Sequence, residues 1–340
     1  MSNLYRIAPY SEDLAAAHTE FASRLWPTKR RRREEVFQRW KFRGPAQGEV
    51  ANLLLAVGDE GVIGQVGLIP ADLSLGGVVQ PAQWVCDLMV DTQHRGQLVS
   101  VSLLKRAMAN GRVTLGSNPS PAADVVMARL GFQTLVGPRI MVLPLRVAFV
   151  LSWKVPARYR SIIGPLGALL GPVAAVRRRR VTAARTRVAS EPCTWRDLVP
   201  LICRREQAIE APHIVHSEDF LAWRCPGLQG YNREVVAFQT PAGGYAIAEP
   251  TTGTCALLDW YAPDRDNMLA LFKSVVALAR DNRSQAITAL AQSPGDVQSL
   301  QQAGFIAMRH PVKVICHPAR LFVPPNDRFH YCRYDADGNL

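Results

Sequence analysis

Apolar and polar positions follow two alternating periods along this chain. Over residues 11–25 apolar side chains return every third or fourth position, the repeat of an amphipathic helix, with Ser11 as its N-cap. A basic turn from Lys29 to Arg33, followed by Glu34-Glu35, leads to a second helical piece that ends near Trp40. The period then shortens to that of strands over 51–57, 61–69 and 83–90, with the turn stretch GDEG at 58–61 between the first two. A loop reading QHRGQ at 93–97 opens a helix that runs through Met108. A strand at 113–115 precedes the turn Asn118-Pro119-Ser120-Pro121, and a helix through Leu130 stops at Gly131, a natural residue for a helix C-terminus. A last strand is expected over 139–145. This order predicts an α/β fold, a mixed and mostly antiparallel sheet flanked by helices.

The whole order then returns. Phe37 and Trp40 recur as Phe220 and Trp223 at an offset of 183, and Ser11 has a counterpart in Thr194 at the same offset. Cys86-Asp87-Leu88 recurs as Leu258-Asp259-Trp260 at an offset of 172, and Leu130-Gly131-Phe132 as Ala303-Gly304-Phe305 at 173. GPRIMVLPLR (137–146) matches HPVKVICHPAR (310–320), with Pro138 and Pro311 again 173 apart. Their shared order and near-constant spacing mark two copies of one domain. We divide the chain into a first domain at 1–146, an apolar and basic linker at 147–190, a second domain at 191–325 and a C-terminal tail at 326–340.

Composition refines this picture at three points. The N-terminal MSNLYRIAPYSEDL is polar and lacks the apolar core of a secretory signal. Seven scattered cysteines, never spaced as CxxC, fit reduced thiols in a cytoplasmic protein, with neither a disulfide framework nor a zinc ribbon. Of the net charge of +12, nine positive charges lie within 151–190, a stretch without acidic residues, which leaves +3 elsewhere. So local an excess, with few aromatics interleaved, argues against a nucleic-acid partner. The linker also carries SIIGPLGALLGPVAAV at 161–176, broken by Pro165 and Pro172 and too short to span a bilayer comfortably. It reads either as a hairpin packed over the domains or as an interfacial segment. The second reading puts its arginines on anionic phosphates and gives peripheral contact through 147–180 at the inner face of a membrane.

The strand VCDLMV, the loop DTQHRGQLVS, the helix LLKRAM, the Asn-Pro turn and the later RLGF together resemble the GNAT superfamily of acyl-CoA-dependent N-acyltransferases. The resemblance covers roughly 51–145 well and the second copy more faintly; two copies in one chain resemble the tandem GNAT-like acyltransferases, including those of cell-surface polysaccharide modification. It implies acetyl-CoA or another acyl-CoA as co-substrate and no metal. In the family's loop pattern Arg95 takes the first position, Leu98 stands where the first glycine is usual, and Ser100 takes the second glycine's place. Arg95, Gly96, Gln97, Leu98, Val99 and Ser100 would then cradle the pyrophosphate at a helix N-terminus, where the helix dipole favours an anion. Leucine there is either held at positive φ, at a steric cost, or turned into the sheet. By the same resemblance Leu88, Met89 and Val90 would pair with the acyl-pantetheine, and Asn118 would make a polar contact to cofactor or acceptor. Asp87, an acidic residue at the sheet's centre, reads either as the group that accepts the proton of an attacking amine, directly or through water, or as a hydrogen-bonded aspartate that fixes a loop. The tyrosine that many relatives use to protonate the departing thiolate is replaced by Met127, and by Leu300 in the second copy. That copy reads APDRDNMLALF after its strand and has no phosphate loop.

Other clusters read as structure. His213 and His216 with Glu218 and Asp219 suggest a metal site, but Ser217-Glu-Asp-Phe is better read as a helix start with acidic first-turn residues. Trp40 and Trp223 read as core anchors, with a sugar platform as the alternative. The function expected is transfer of an acyl group to a primary amine on a small molecule, an amino sugar or a cell-surface saccharide precursor. The competing expectation is a GNAT-fold scaffold that has lost catalysis.

Overall fold

Both sets of strand patterns pair into one sheet. The computed structural model describes residues 5–27, 34–43, 52–146, 148, 171–226, 235–321 and 328–336. The first copy contributes β1 (Tyr5–Pro9), α1 (Ala15–Leu25), α2 (Glu35–Arg43), β2 (Leu53–Gly58), β3 (Gly61–Leu75), β4 (Val78–Val90), α3 (Val99–Met108), β5 (Val113–Ser117), α4 (Pro121–Arg129) and β6 (Gln133–Pro144). Helix α5 (Gly171–Thr182) leads into the second copy. That copy comprises β7 (Glu191–Cys193), α6 (Trp195–Glu206), β8 (His213–Ile214), α7 (Glu218–Arg224), β9 (Val236–Gln239), β10 (Tyr245–Pro250), β11 (Thr254–Tyr261), α8 (Arg265–Asp281), β12 (Ala286–Ala291), α9 (Pro294–Gln302) and β13 (Ile306–His317).

Several boundaries differ from the pattern for local reasons. Ser11 precedes a 3-10 turn (Glu12–Leu14) and makes no side-chain cap, so α1 starts later than expected. Its counterpart Thr194 does cap, in a reciprocal box with Asp197. Strands β3 and β4 run longer than expected because Gly76 and Gly77, at φ +59° and +80°, close a hairpin beyond Pro70 and Pro81.

The strand order is β1-β2-β3-β4-β5-β13-β6-β12-β11-β10-β9-β7, with β8 paired to β3. Read inward from either end, the two copies match strand for strand until the centre. There they exchange their last strands: β13 pairs antiparallel with β5, β6 pairs antiparallel with β12, and β6 and β13 pair with each other. The matched stretches GPRIMVLPLR and HPVKVICHPAR are thus the two strands flanking a pseudo-two-fold axis.

Helices α1, α2, α6 and α7 cover one face over a single core shared by both copies, with Phe21, Phe42, Leu198, Phe220 and Trp223 buried in it. The repeated Phe-x-x-Trp elements meet here: the Trp40 and Trp223 rings lie 5.5 Å apart and the Trp223 indole N–H donates to the Trp40 carbonyl at 3.1 Å. The opposite face has two separate cores, one under α3 and α4 and one under α5, α8 and α9. Helix α5 is part of the second: Ala174 and Val181 are buried, and a Cβ on Gly304 would meet the Arg177 carbonyl oxygen at 2.5 Å. The rest of the apolar linker and the Lys29–Arg33 turn lie outside the described residues.

Residues 328–336 are built into the shared core. Phe329, Tyr331, Cys332, Tyr334, Asp335 and Ala336 are all at most 5% exposed. Main-chain bonds run from Phe329 to Val136, His330 to Pro212 and Arg333 to Leu258, each 2.9 Å, so this segment touches both copies. Arg224 grips the Tyr334 carbonyl at 2.6 Å and the Ala336 carbonyl. His216 lies between Glu206 and Asp335, its Nε2 2.6 Å from Asp335 Oδ1. Burial opposes the charge on this imidazole, but the Glu206 and Asp335 carboxylates outweigh it and lift its pKa to about 10. His216, Cys332 and Asp335 place ligand-type atoms within 4.8 Å of one another, yet both ring nitrogens already face carboxylates, and the imidazolium supplies the positive charge they need. Ser217 caps α7 through the Phe220 N–H, as its sequence context suggested.

Removing one partner of a buried ionic cluster strands the others. His216→Gln is therefore expected to cost about 3–5 kcal/mol in chemical denaturation, and a loss under about 1 kcal/mol would contradict this account. Because the folded pKa is raised, His216's contribution is complete below its ordinary value near 6.5 and fades as the pH climbs toward 10. A stability titration of the wild type should show that alkaline slope, and His216→Gln should flatten it.

Candidate active site

Strand β4 pairs in parallel with β5 at three rungs, Ala82 with Val113, Gln83 with Thr114 and Trp84 with Leu115. Past Trp84, no described strand pairs with β4 on that side, while its other edge stays bonded to β3 as far as Val90. The two parallel strands have splayed apart. The cause is local: Gln65 faces Met89 but Gly67 faces Cys86, so β4 carries one extra residue. Asp87 is that residue, at φ +47°. The bulge bends the strand and leaves Leu88, Met89 and Val90, all half-buried, along the splayed edge.

The bulge turns the Asp87 side chain toward α2, where its Oδ2 meets Lys41 Nζ at 2.6 Å. Both groups are buried, with side-chain exposures of 8% and 1%. Gln65 donates to the Asp87 carbonyl at 3.4 Å and its own side-chain oxygen contacts His18 Nε2 at 2.8 Å. Burial keeps His18 below its ordinary pKa, so the imidazole is neutral near pH 7.

The loop after β4 is braced from both ends. Asp91 accepts from the Gln93 N–H at 3.2 Å and from Arg24 at 3.3 Å, and first the Gln93 bond, then Arg24, holds its carboxyl below the usual range. At the other end the Tyr5 hydroxyl reaches the Gln97 carbonyl at 3.3 Å and Ser102 Oγ at 2.9 Å. Gly96 sits at φ +94°, a conformation open to glycine alone. Leu98 is the N-cap of α3, at φ +59° and ψ +18°, and 66% exposed. The leucine therefore meets the positive-φ requirement directly, with its side chain out in solvent and not in the sheet. It supplies no side-chain cap, and the first turn of α3 carries no acidic residue. Uncapped N–H groups at a helix N-terminus are an anion site, and Arg95 stands exposed beside them.

The second copy keeps the bulge and the splay but not this chemistry. Its β10–β11 register shifts at Leu258, one residue before Asp259, the counterpart of Asp87, and β11 pairs with β12 only from Thr254 to Ala256. The opening is closed from within, because the Trp260 indole donates to the Leu290 carbonyl at 2.8 Å and the Arg333 N–H donates to the Leu258 carbonyl. Asp264 caps α8 through the Asn267 N–H at 2.8 Å, and that bond keeps its carboxylate charged. A carboxylate occupies the helix start where the first copy leaves N–H groups open. Asp259, the counterpart of Asp87, is paired to Arg205 at 2.9 Å and accepts from Tyr245 and Tyr334. Burial works against its charge, but Arg205 and the Tyr245 hydroxyl hold it down at about 2.

The structure thus gathers Asp87 through Val90 and Arg95 through Ser100 along one splayed edge and the helix beyond it. Asn118 lies apart from them: at φ +42°, its backbone N–H donates to the Lys313 carbonyl and its Oδ1 accepts from the Lys313 N–H at 2.9 Å, which pins β13 to the far edge of β5. Met127 and Leu300 are buried in the helix-covered cores. Lys41 was missed as a partner of Asp87, although the Trp40-Lys41 and Trp223-Arg224 pairs repeat at the same offset.

Residues 12–114 match the family model for the acetyltransferase (GNAT) domain. No curated protein sequence matches the chain. Among solved structures, the chain is similar to a GCN5-related N-acetyltransferase from Kribbella flavida, at 14% identity and TM-score 0.60, covering 92% of this chain and 70% of that one. It is similar to a probable N-acyltransferase from Enterococcus faecalis, at 10% identity and TM-score 0.62, over 94% and 73% of the two chains. Saccharomyces cerevisiae N-myristoyltransferase with bound myristoyl-CoA matches at 13% identity and TM-score 0.53, over 93% and 83%. At these identities the likeness is one of fold.

A leucine at positive φ costs roughly 1–2 kcal/mol, against roughly 0.5–1 kcal/mol of chain entropy for glycine. Leu98→Gly is therefore expected to match or exceed the wild type in melting temperature and in calorimetric affinity for acetyl-CoA. The β-branched Leu98→Val should lower both. A large loss of affinity in the glycine variant would show that the loop does not cradle phosphate as drawn.

Proposed function

We propose that the first copy is a working acyl-CoA-dependent N-acyltransferase site, on the premise that residues 12–114 match the acetyltransferase (GNAT) domain and that the chain carries two GNAT-like halves in one sheet. The observation that carries the reading is the joining of a splayed β4 edge to an uncapped α3 N-terminus in one copy only. The N–H groups of Leu98, Val99 and Ser100, with Arg95 and the Gly96 turn, hold the pyrophosphate of acetyl-CoA or another acyl-CoA. The Gln97 N–H, expected to join them, donates instead to the His94 carbonyl at 3.3 Å and closes the turn. Leu88, Met89 and Val90 pair with the pantetheine, and the backbone N–H next to the bulge polarises the thioester carbonyl. The amine nitrogen attacks that carbon, the C–N bond forms as the C–S bond breaks, the thiolate leaves, and Asp87 takes the amine proton. Lys41 orients the carboxylate for this and balances its charge while buried.

In this reading residues 1–146 form the donor domain, and residues 191–325 shape the acceptor cleft without binding acyl-CoA. The acceptor class we propose is an amino sugar or a cell-surface saccharide precursor, supported by the likeness to tandem acyltransferases and by a linker suited to an inner membrane surface. No described helix is long and apolar enough to cross a membrane. On α5, Arg179 and Arg180 are exposed and Val176 is 57% exposed; burial, then Arg280 and Arg179, disfavour the charge of Arg178, so an anionic surface would relieve the crowding. A scaffolding role is the second reading, favoured by the core positions of Met127 and Leu300.

Release of CoA thiol from acetyl-CoA across a panel of amino sugars and amines tests the proposal. Turnover is expected with at least one amine, and Asp87→Asn should cut kcat/KM by about 10²-fold or more while acetyl-CoA still binds. A folded protein that binds no acetyl-CoA would leave the scaffold. For the membrane contact, co-sedimentation with anionic vesicles should drop in an Arg179→Ser, Arg180→Ser double variant, and unchanged binding would remove that idea. These changes leave the buried side of α5 in place, whereas deleting the helix would open the core.

A further inference from the structure

We infer that the C-terminal segment sets the donor's acyl length, with Phe329 and Tyr331 backing Trp84 as the wall at the closed end of the first copy's cleft. This rests on the acyl-CoA reading of that cleft. Trp84 occupies the last rung at which β4 and β5 are still paired, three residues before the bulge at Asp87. An acyl group that starts at the bulge and points inward therefore meets the closing strands within roughly 10 Å, at about 3.3 Å per residue. Paired strands lie only about 4.8 Å apart, so a longer chain must leave the plane of the sheet by one face.

Both faces are filled there. On the helix α3 side Val85, Leu68, Ile315 and Met127 belong to one core and none is more than 9% exposed. On the other side the Trp84 indole is fully buried, with Phe329 and Tyr331 each edge-on to it at 5.8 Å between centroids. Phe329 and Tyr331 are 2% and 5% exposed, and Cys86 fills the same face between Trp84 and the bulge. Face-on strand alternation puts Trp84 and Cys86 on this side together. The wall on this side comes from a segment far away in sequence that is held by its own anchors, the Phe329 bond to Val136 and the Tyr331 bond to Gln292. Its rings can be trimmed without substituting any residue of β4 or of the phosphate loop.

The test is calorimetric binding of free CoA, acetyl-CoA and octanoyl-CoA to the full chain and to Phe329→Ala, Phe329→Leu and Tyr331→Leu. The wild type is expected to prefer acetyl-CoA over octanoyl-CoA by at least tenfold. Trimming the wall should shrink that preference at least tenfold in Phe329→Ala and to a lesser degree in the leucine variants, which keep an apolar filler if the alanine variant fails to fold. Equal binding of the two acyl-CoAs by the wild type, or a preference that every folded variant retains, would overturn the inference. Free CoA has no acyl group to meet the wall, so its failure to bind the wild type would instead count against the acyl-CoA reading itself.

Discussion

The antiparallel pairing of β6 with β13 holds the rest in place. Each of these strands closes the other copy's half of the sheet, so neither half is complete without the other's last strand. The exchange leaves both central strands hydrogen-bonded on both edges and joins the two copies in one ladder. It also brings α2 and α7 together, which is why Trp40 and Trp223 meet across the axis, their planes tilted by 41°, and one core serves both copies on that face. Asn118 and Lys313 show how closely the exchange is fitted, since a single side-chain amide locks the swapped strand to β5.

A duplicated scaffold has been given opposite chemistry at equivalent points. Both copies keep the bulge that splays their parallel strands, a backbone feature indifferent to ligand. At the helix beyond, Leu98 offers bare N–H groups and Asp264 offers a carboxylate, and the helix dipole makes the first attractive to phosphate and the second already satisfied. Trp260 and the C-terminal segment then fill the second opening. Duplication followed by such divergence leaves one unpaired strand edge and one internal brace, with Asp259 and His216 fixing charges within the brace.

Much of this was legible in the sequence, and what was not had a physical cause. Helical and strand periods located most elements because each presents one apolar face to a core, and the repeat was visible because both copies bury the same positions. The strand exchange was not visible: GPRIMVLPLR and HPVKVICHPAR are alike enough for either to sit in either half, and periodicity says nothing about which partner a strand takes. The sequence leaves Leu98 between two conformations, since one residue's φ depends on the loop around it; Gly96 on one side and the Tyr5 brace on the other accompany a φ of +59°. The stretch from Phe329 to Ala336 read as a tail because it is short and without period, and only its long-range contacts bury it.

The measurement that bears most directly on this asymmetry is the stoichiometry of CoA binding to the full chain by isothermal titration. One CoA per chain is expected, and Asp264→Ala, which uncaps α8 but leaves the second opening filled, should leave that number unchanged. Two CoA molecules per chain, or none, would contradict it.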